Sequence, residues 1–174
     1  ADIGAMPAEV MQRLLLSRYI HLSPTCSTYS QNALCVHERN WDNKFLGVTP
    51  AAWEANGLLL RLFRALRTRQ KHKEKALITI ENPDATFHLT PIGRKMQEPI
   101  NKGGLGLKLV FFSFCAFGEP WRKNTILLTN SPSLIAEFKY NAKLCDSTDG
   151  CCKFRKGCMH KVIGRDVSAS EATD

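Results

Sequence analysis

Three groups of side chains are able to do chemistry. The first is Cys26, within Leu22-Ser23-Pro24-Thr25-Cys26-Ser27-Thr28-Tyr29-Ser30. The apolar pair Tyr19-Ile20 feeds this loop and reads as a buried strand that stops at the proline, which has no N–H to give a ladder. Cys26 then falls just past a strand's carboxyl end, where open α/β sheets bind ligands. A cysteine in a polar loop at that place is a candidate nucleophile, the plainer alternative being a small hydrophobe that packs. The second group is Glu81-Asn82-Pro83, which ends the β-branched run Ala76-Leu77-Ile78-Thr79-Ile80. A carboxylate and a carboxamide at the end of one strand can share a crevice with a cysteine at the end of another. The third group is Cys145, Cys151, Cys152, Cys158 and His160. Thiolates with an imidazole suit zinc, with ligands from Cys145, one of Cys151 or Cys152, Cys158 and His160. The alternative is unliganded thiols in a basic tail, since Lys153, Arg155, Lys156, Lys161 and Arg165 surround them.

The elements that must position these groups follow from pattern. Pro7-Ala8-Glu9 predicts a helix start, with proline in the first turn and an acid at the positive end, and the helix runs to about Ser17. Thr49-Pro50 opens a second helix through Ala51 to about Arg69, capped by Thr49. Its apolar stripe is Ala55, Leu59, Leu62, Phe63 and Leu66, with Arg61, Arg64 and Lys71 on a solvated face. Strand, helix and strand make a crossover unit with parallel neighbours, which brings Cys26 and Glu81 to one edge of the sheet. Between them, 31–47 reads as a polar loop anchored by Trp41 and Phe45, with His37, Glu38 and Arg39 in solvent. The stretch 84–106 reads as loop. Leu107 to Phe114 and Thr125 to Thr129 read as strands joined across the Gly118-Glu119-Pro120 turn, the antiparallel end of a mixed sheet.

Composition sets the frame. The chain has 174 residues, 44% apolar and 23% charged, enough for a core of its own. A net charge of +8 suggests an acidic partner, nucleic acid first among them. No apolar run is long enough to span a bilayer, and the N-terminus lacks the layout of a secretory signal. Seven cysteines, an odd number with four clustered late, favour reduced thiols and a local site over a disulfide framework. An intracellular, reducing compartment is the expectation.

The loop Ser23-Pro24-Thr25-Cys26-Ser27-Thr28-Tyr29-Ser30 and the segment Glu81-Asn82-Pro83 are followed by Phe114-Cys115-Ala116-Phe117-Gly118, Arg122-Lys123-Asn124-Thr125 and Thr129-Asn130. In that order they resemble a phage-like branch of the cytosine-C5 DNA methyltransferases. That branch carries Ser-Pro-Pro-Cys-x-x-(Phe/Tyr)-Ser, Glu-Asn-Pro, Tyr-Cys-x-(Tyr/Phe)-Gly, Lys-Pro-Thr and Thr-Asn. The resemblance spans roughly Leu22 to Gly164. It implies a class I methyltransferase-like (Rossmann-like) α/β mixed sheet with a small Cys/His-rich C-terminal tail. It also implies methyl transfer from S-adenosyl-L-methionine to C5 of cytosine in DNA through a covalent cysteine adduct.

Carried onto this chain, the resemblance makes Cys26 the nucleophile and Glu81 the group that holds N3 and the exocyclic amine. Asn82 orients the loop, Pro83 shapes it, and Arg122 or Lys123 contacts the base carbonyl or a phosphate. Ser23, Pro24, Ser30, Pro83 and Lys123 are the implied substrate contacts, and Asp2 the one acidic residue placed to meet the donor's adenosine. No Phe-x-Gly-x-Gly-type loop precedes Cys26, so the expected sheet is incomplete at its N-terminus. The half that holds the donor would lie on a further segment or a second chain. The expected organisation is 1–138 as the catalytic part, 139–166 as the basic Cys/His-rich segment and 167–174 as a disordered tail. A reading from another class is a non-catalytic, degenerate module of the same fold that binds nucleic acid. A third is a cysteine hydrolase pairing Cys26 with His21 or His37.

Overall fold

The structure is a computed structural model that describes residues 8–71, 75–140, 144–145, 151–154 and 159–161. Asp2, Cys158 and the expected 167–174 tail lie outside the described residues. Nine elements are named here in chain order. They are α1 (Ala8–Leu16), β1 (Tyr19–Leu22), α2 (Leu34–His37), α3 (Pro50–Gln70), β2 (Leu77–Pro83), α4 (Pro91–Gln97), β3 (Lys108–Ser113), β4 (Asn124–Thr129) and α5 (Pro132–Tyr140). The four strands form one mixed sheet in the order β1-β2-β4-β3. No described helix is long and apolar enough to cross a membrane.

The crossover is as the pattern requires. β1 pairs in parallel with β2, Tyr19 opposite Leu77 and Leu22 opposite Ile80, and α3 connects them. The Thr49 hydroxyl accepts from the Ala52 N–H at 3.3 Å, and Pro50 occupies the first turn. Leu59, Leu62, Phe63 and Leu66 turn inward, while Arg61, Arg64 and Lys71 are exposed. Alternation along the strands sends Ile20, Ile78, Ile80, Ile126 and Leu128 into the same core, joined by Tyr29, Phe87 and Met96. The sheet then closes antiparallel: β4 runs against β2 on one side and β3 on the other. Asn130, just past β4, staples it to the start of β2. Its Oδ1 accepts from the Ile78 N–H at 2.7 Å, and its Nδ2 donates to the Ala76 carbonyl at 2.9 Å.

Two expectations change. The 84–106 stretch is not loop throughout, because α4 forms within it. Thr90 accepts from the Gly93 N–H at 3.0 Å with Pro91 in the first turn, the same start signal as Thr49-Pro50. Met96 then enters the core with no exposure. The 31–47 stretch is likewise not a solvated loop. Ala33 and Phe45 are buried, although Trp41 is 68% exposed, packing edge-on against Phe45 with the Arg94 guanidinium 5.4 Å from its ring centroid. His37 bonds the Thr49 hydroxyl through Nδ1 at 2.6 Å. Glu38 alone of its trio is in solvent.

Arg39 is the largest departure, at 3% exposure. A guanidinium has five N–H donors in a fixed fork, and here all five are used. Nε donates to the Thr28 carbonyl at 2.7 Å. Nη1 donates to the Phe45 carbonyl at 2.5 Å and to Asn56 Oδ1 at 3.1 Å. Nη2 donates to the Thr28 hydroxyl at 3.0 Å and to the Ala52 carbonyl at 3.3 Å. The cation lies 4.2 Å from the centroid of the Tyr29 ring, whose phenol donates to the same Asn56 oxygen. Burial pushes that phenol up to about 12, with the Arg39 charge opposing the shift. Such a web can hold backbone that is otherwise unfavourable. Lys44 and Phe45 take φ of 55° and 60°, each costing about 1–2 kcal/mol for a non-glycine residue. Gly47, at φ 72°, has no room for a Cβ, which would meet Ala52 and the His37 carbonyl at 2.8 Å.

Lysine keeps the charge but not the fork, so Arg39→Lys should strand several buried acceptors. We predict a loss of about 2–3 kcal/mol, roughly 5–10 °C in Tm for a chain of this size, by thermal melts followed in circular dichroism. An unchanged Tm would show the fork to be dispensable.

Candidate active site and candidate metal centre

Cys26 and Glu81 line one cavity of about 590 Å³. Cys26 reaches it from the loop after β1, and its carbonyl accepts from the Tyr29 and Ser30 N–H groups at 2.9 and 3.0 Å, which sets the turn that follows. Glu81 reaches it from within β2, because the strand continues through Pro83 instead of ending at Ile80. Glu81 pairs opposite Leu127 and Asn82 opposite Ile126 on the inserted strand β4, which is what carries β2 further than its apolar run.

Two hydrogen bonds join the loop to the strand. The Ser23 hydroxyl donates to Glu81 Oε2 at 2.7 Å, and Asn82 Nδ2 donates to the Pro24 carbonyl at 3.0 Å. The second is half-buried and crosses from β2 to the chain just before Cys26, so Asn82 fixes the loop's approach. The other carboxylate oxygen, Glu81 Oε1, is buried and accepts no hydrogen bond among the described residues. Lys123 Nζ stands 3.9 Å from it, an ion pair without hydrogen-bond contact, and lies 4.9 Å from the Phe114 centroid. A buried carboxylate oxygen without a hydrogen-bond partner, near a cation and on a residue that shares its cavity with Cys26, is equipped to take an N–H donor from a ligand.

One wall is aromatic. Phe112, Phe114, Phe117 and Phe138 line the cavity. Phe112 stacks on Phe138 at 5.1 Å between centroids, and Phe117 meets Phe138 at 6.0 Å. Sequence reasoning missed this wall because Phe112 and Phe114 read simply as strand residues, and α5, which brings Phe138, was not expected.

The other expected site residues fall as follows. Pro83 and Lys123 line the cavity, while Arg122 is exposed and Ser30 opens the turn at 31–33; neither is among the lining residues. His21 lines the cavity, with Nδ1 2.7 Å from the Thr79 hydroxyl. His37 is committed to Thr49 instead.

A second cluster lies at the end of β3. The ligating atoms of Cys115, Cys145, Cys152 and His160 all fall within 4.8 Å of one another, a Cys3His group able to hold a metal ion. Of the tail residues singled out in the sequence, Cys145, Cys152 and His160 are in the group. Cys151 is exposed and points its sulfur at Met159 instead, 3.4 Å away. Cys115, far upstream in the chain, supplies a ligand position that the tail spacing could not reveal. Burial and the neighbouring Cys152 and Cys145 push its thiol up to about 12. The tail is tied to the sheet at the same place: the Cys145 N–H donates to the Ser113 hydroxyl at 2.8 Å, and the Lys161 N–H to the Pro120 carbonyl at 2.9 Å.

No protein-family model matches this chain, and no curated protein matches it.

Proposed function

We propose that this chain is the catalytic part of a DNA (cytosine-5)-methyltransferase-like protein, with Cys26 as its nucleophile. One observation carries the reading: Cys26 and Glu81, whose Oε1 has no hydrogen-bond partner among the described residues, line a single cavity with an aromatic wall, delivered there by the loop after β1 and by β2. The antiparallel end of the sheet agrees with what the resemblance implies.

The chemistry follows from the base. Cytosine C6 is a poor electrophile, and in a duplex its face is stacked, so the base must first leave the helix. The aromatic wall suits a planar ring taken out of its stack. The Cys26 thiolate adds to C6, forming an S–C6 bond while the C5–C6 π pair moves onto C5 and the ring. Glu81 would hold the N3 and exocyclic-amine edge, and Lys123 would face the negative charge that develops. C5 then takes an electrophile. Loss of the C5 proton and expulsion of the thiolate restore the ring.

S-adenosyl-L-methionine is the electrophile that the resemblance implies. The described residues do not form a cradle for it: none of the described glycines lines the cavity, and Asp2 is outside the described residues. The residues of this chain therefore carry the chemistry as far as the adduct. DNA as the partner rests on the charge of +8 and on Lys123 at the cavity.

The adduct can be tested on the whole chain without a methyl donor. After C6 addition a solvent deuteron can enter at C5, and loss of the original proton leaves label there. DNA carrying 5-azacytosine has a more electrophilic C6 and takes a proton at N5, so its adduct should survive denaturing electrophoresis. We predict label and adduct with the native chain and neither with Cys26→Ser, whose DNA affinity should stay within about threefold. Adduct formation by the serine variant would overturn the assignment. DNA binding without either signal would favour the non-catalytic module.

For Glu81→Gln we predict adduct formation slowed by about 100-fold or more with DNA affinity little changed, because the carboxylate acts chiefly as charge moves onto the ring. Rate and affinity falling in equal measure would instead make Glu81 a simple binding contact.

A further inference from the structure

We propose that Cys115, Cys145, Cys152 and His160 hold a structural zinc ion that pins the C-terminal segment to the end of β3. The site stands on these four donors and does not depend on the methyltransferase reading.

One donor pair already has the spacing of a tetrahedral site. With Zn–S of about 2.3 Å and Zn–N of about 2.0–2.1 Å, a sulfur and a nitrogen on one ion lie about 3.6 Å apart. Cys145 Sγ and His160 Nε2 are 3.6 Å apart. All donors lie within 4.8 Å of one another, close enough to converge with small side-chain movements. Three thiolates and an imidazole are the chemistry zinc prefers, and four protein ligands leave no open coordination position. The ion is accordingly structural.

The packing points the same way. Cys115, Cys145 and Cys152 are at most 5% exposed. Among the described residues they form a second buried cluster, with Phe154 as the partly buried hydrophobic packed on it. So small an apolar core supplies little folding free energy, and metal coordination is the usual substitute in such segments. The four ligands come from separate stretches of chain, so one ion would cross-link the β3–β4 connection to three points of the tail.

This cross-link reaches the candidate active site through the turn at 114–117. Cys115 sits between Phe114 and Phe117, both on the cavity wall. The Phe114 N–H donates to the Lys123 carbonyl at 3.1 Å, so the same turn also sets the chain that carries the cavity's lysine.

The full chain, purified under reducing conditions without added metal or chelator, should carry about one zinc ion per molecule. X-ray absorption on that protein should count three sulfur neighbours and one nitrogen. Cobalt in place of zinc should give tetrahedral visible bands with thiolate charge transfer. Cys115→Ser and Cys152→Ser should each weaken metal binding by roughly 100-fold or more, while Cys151→Ser and Cys158→Ser leave it within about threefold. Because Cys115 is buried and its variant can fail to fold, His160→Ala gives the independent check. It should lose the nitrogen neighbour and keep the sheet's circular dichroism. Chelation should raise amide exchange at 113–118 while β2 and β4 stay protected. Zinc near zero, with Cys115, Cys145 and Cys152 all alkylated in the native protein, would overturn the site. So would metal lost with Cys158→Ser but kept with Cys115→Ser. Full metal content with no adduct at Cys26 would leave the zinc site standing and count against the catalytic reading alone.

Discussion

The five hydrogen bonds of Arg39 are the constraint on which the candidate active site depends. They reach Thr28 on one side and Phe45, Ala52 and Asn56 on the other, so one side chain joins the turn after Cys26 to the first turns of α3. No carboxylate neutralises the guanidinium among the described residues. Carbonyl dipoles and the Tyr29 ring carry out that task, and hydrogen bonds to a charged group contribute about 1.5–3 kcal/mol each in such settings. That outweighs the local cost of two successive left-handed residues at Lys44 and Phe45. Without the fork, the segment from Thr28 to Asn56 would rest on the burial of Tyr29, Ala33, Phe45 and Ala52, and the turn after Cys26 would lose this tie to α3.

The described residues form two cores of different kinds. The larger is apolar, with the β-branched faces of the strands packed against α3, Phe87 and Met96. It needs no ion, because ordinary burial of about 25 cal/mol per Å² is ample over that many side chains. The smaller is made of sulfur. Ser113 joins the two: its hydroxyl donates to Asn124 Oδ1 at 2.7 Å and accepts from the Cys145 N–H. Asn124 begins β4, the strand that extends β2 far enough to carry Glu81. The cavity therefore lies between a core that is self-sufficient and one that is not.

How legible this was in the sequence depended on whether the cause was local. Helix α3 could be read because Thr49, Pro50 and its apolar stripe are neighbours along the chain, and the parallel β1–β2 pair followed from the crossover. Helix α4 carries the same Thr-Pro start but is only seven residues long, too short for periodicity to register, and its proline reads equally as a loop residue. Arg39 looked solvated because arginine usually is. Its burial is decided by acceptors as far off as Thr28 and Asn56, which only the folded chain assembles. Cys115 was hidden for the same reason. A ligand set drawn from the tail alone was self-consistent by spacing, and nothing local to Phe114-Cys115-Ala116 names its distant partners.

Among the described residues, buried side-chain atoms without a hydrogen bond occur on Gln70, Glu81, Asn82, His88 and Trp121, and of these residues Glu81 lines the cavity. Each such atom costs about 1–3 kcal/mol, more where it bears charge. Lys123 at 3.9 Å relieves part of that for Glu81, yet it stays out of hydrogen-bond range and at the cavity wall. A sequence shaped for stability alone would place an apolar residue opposite Leu127, as β2 does at Ile80 opposite Leu128. The strand instead switches from isoleucine to Glu81-Asn82 at the point where the Cys26 loop crosses it. One amide end of Asn82 holds that loop, and the open oxygen of Glu81 is left for something the chain itself does not supply.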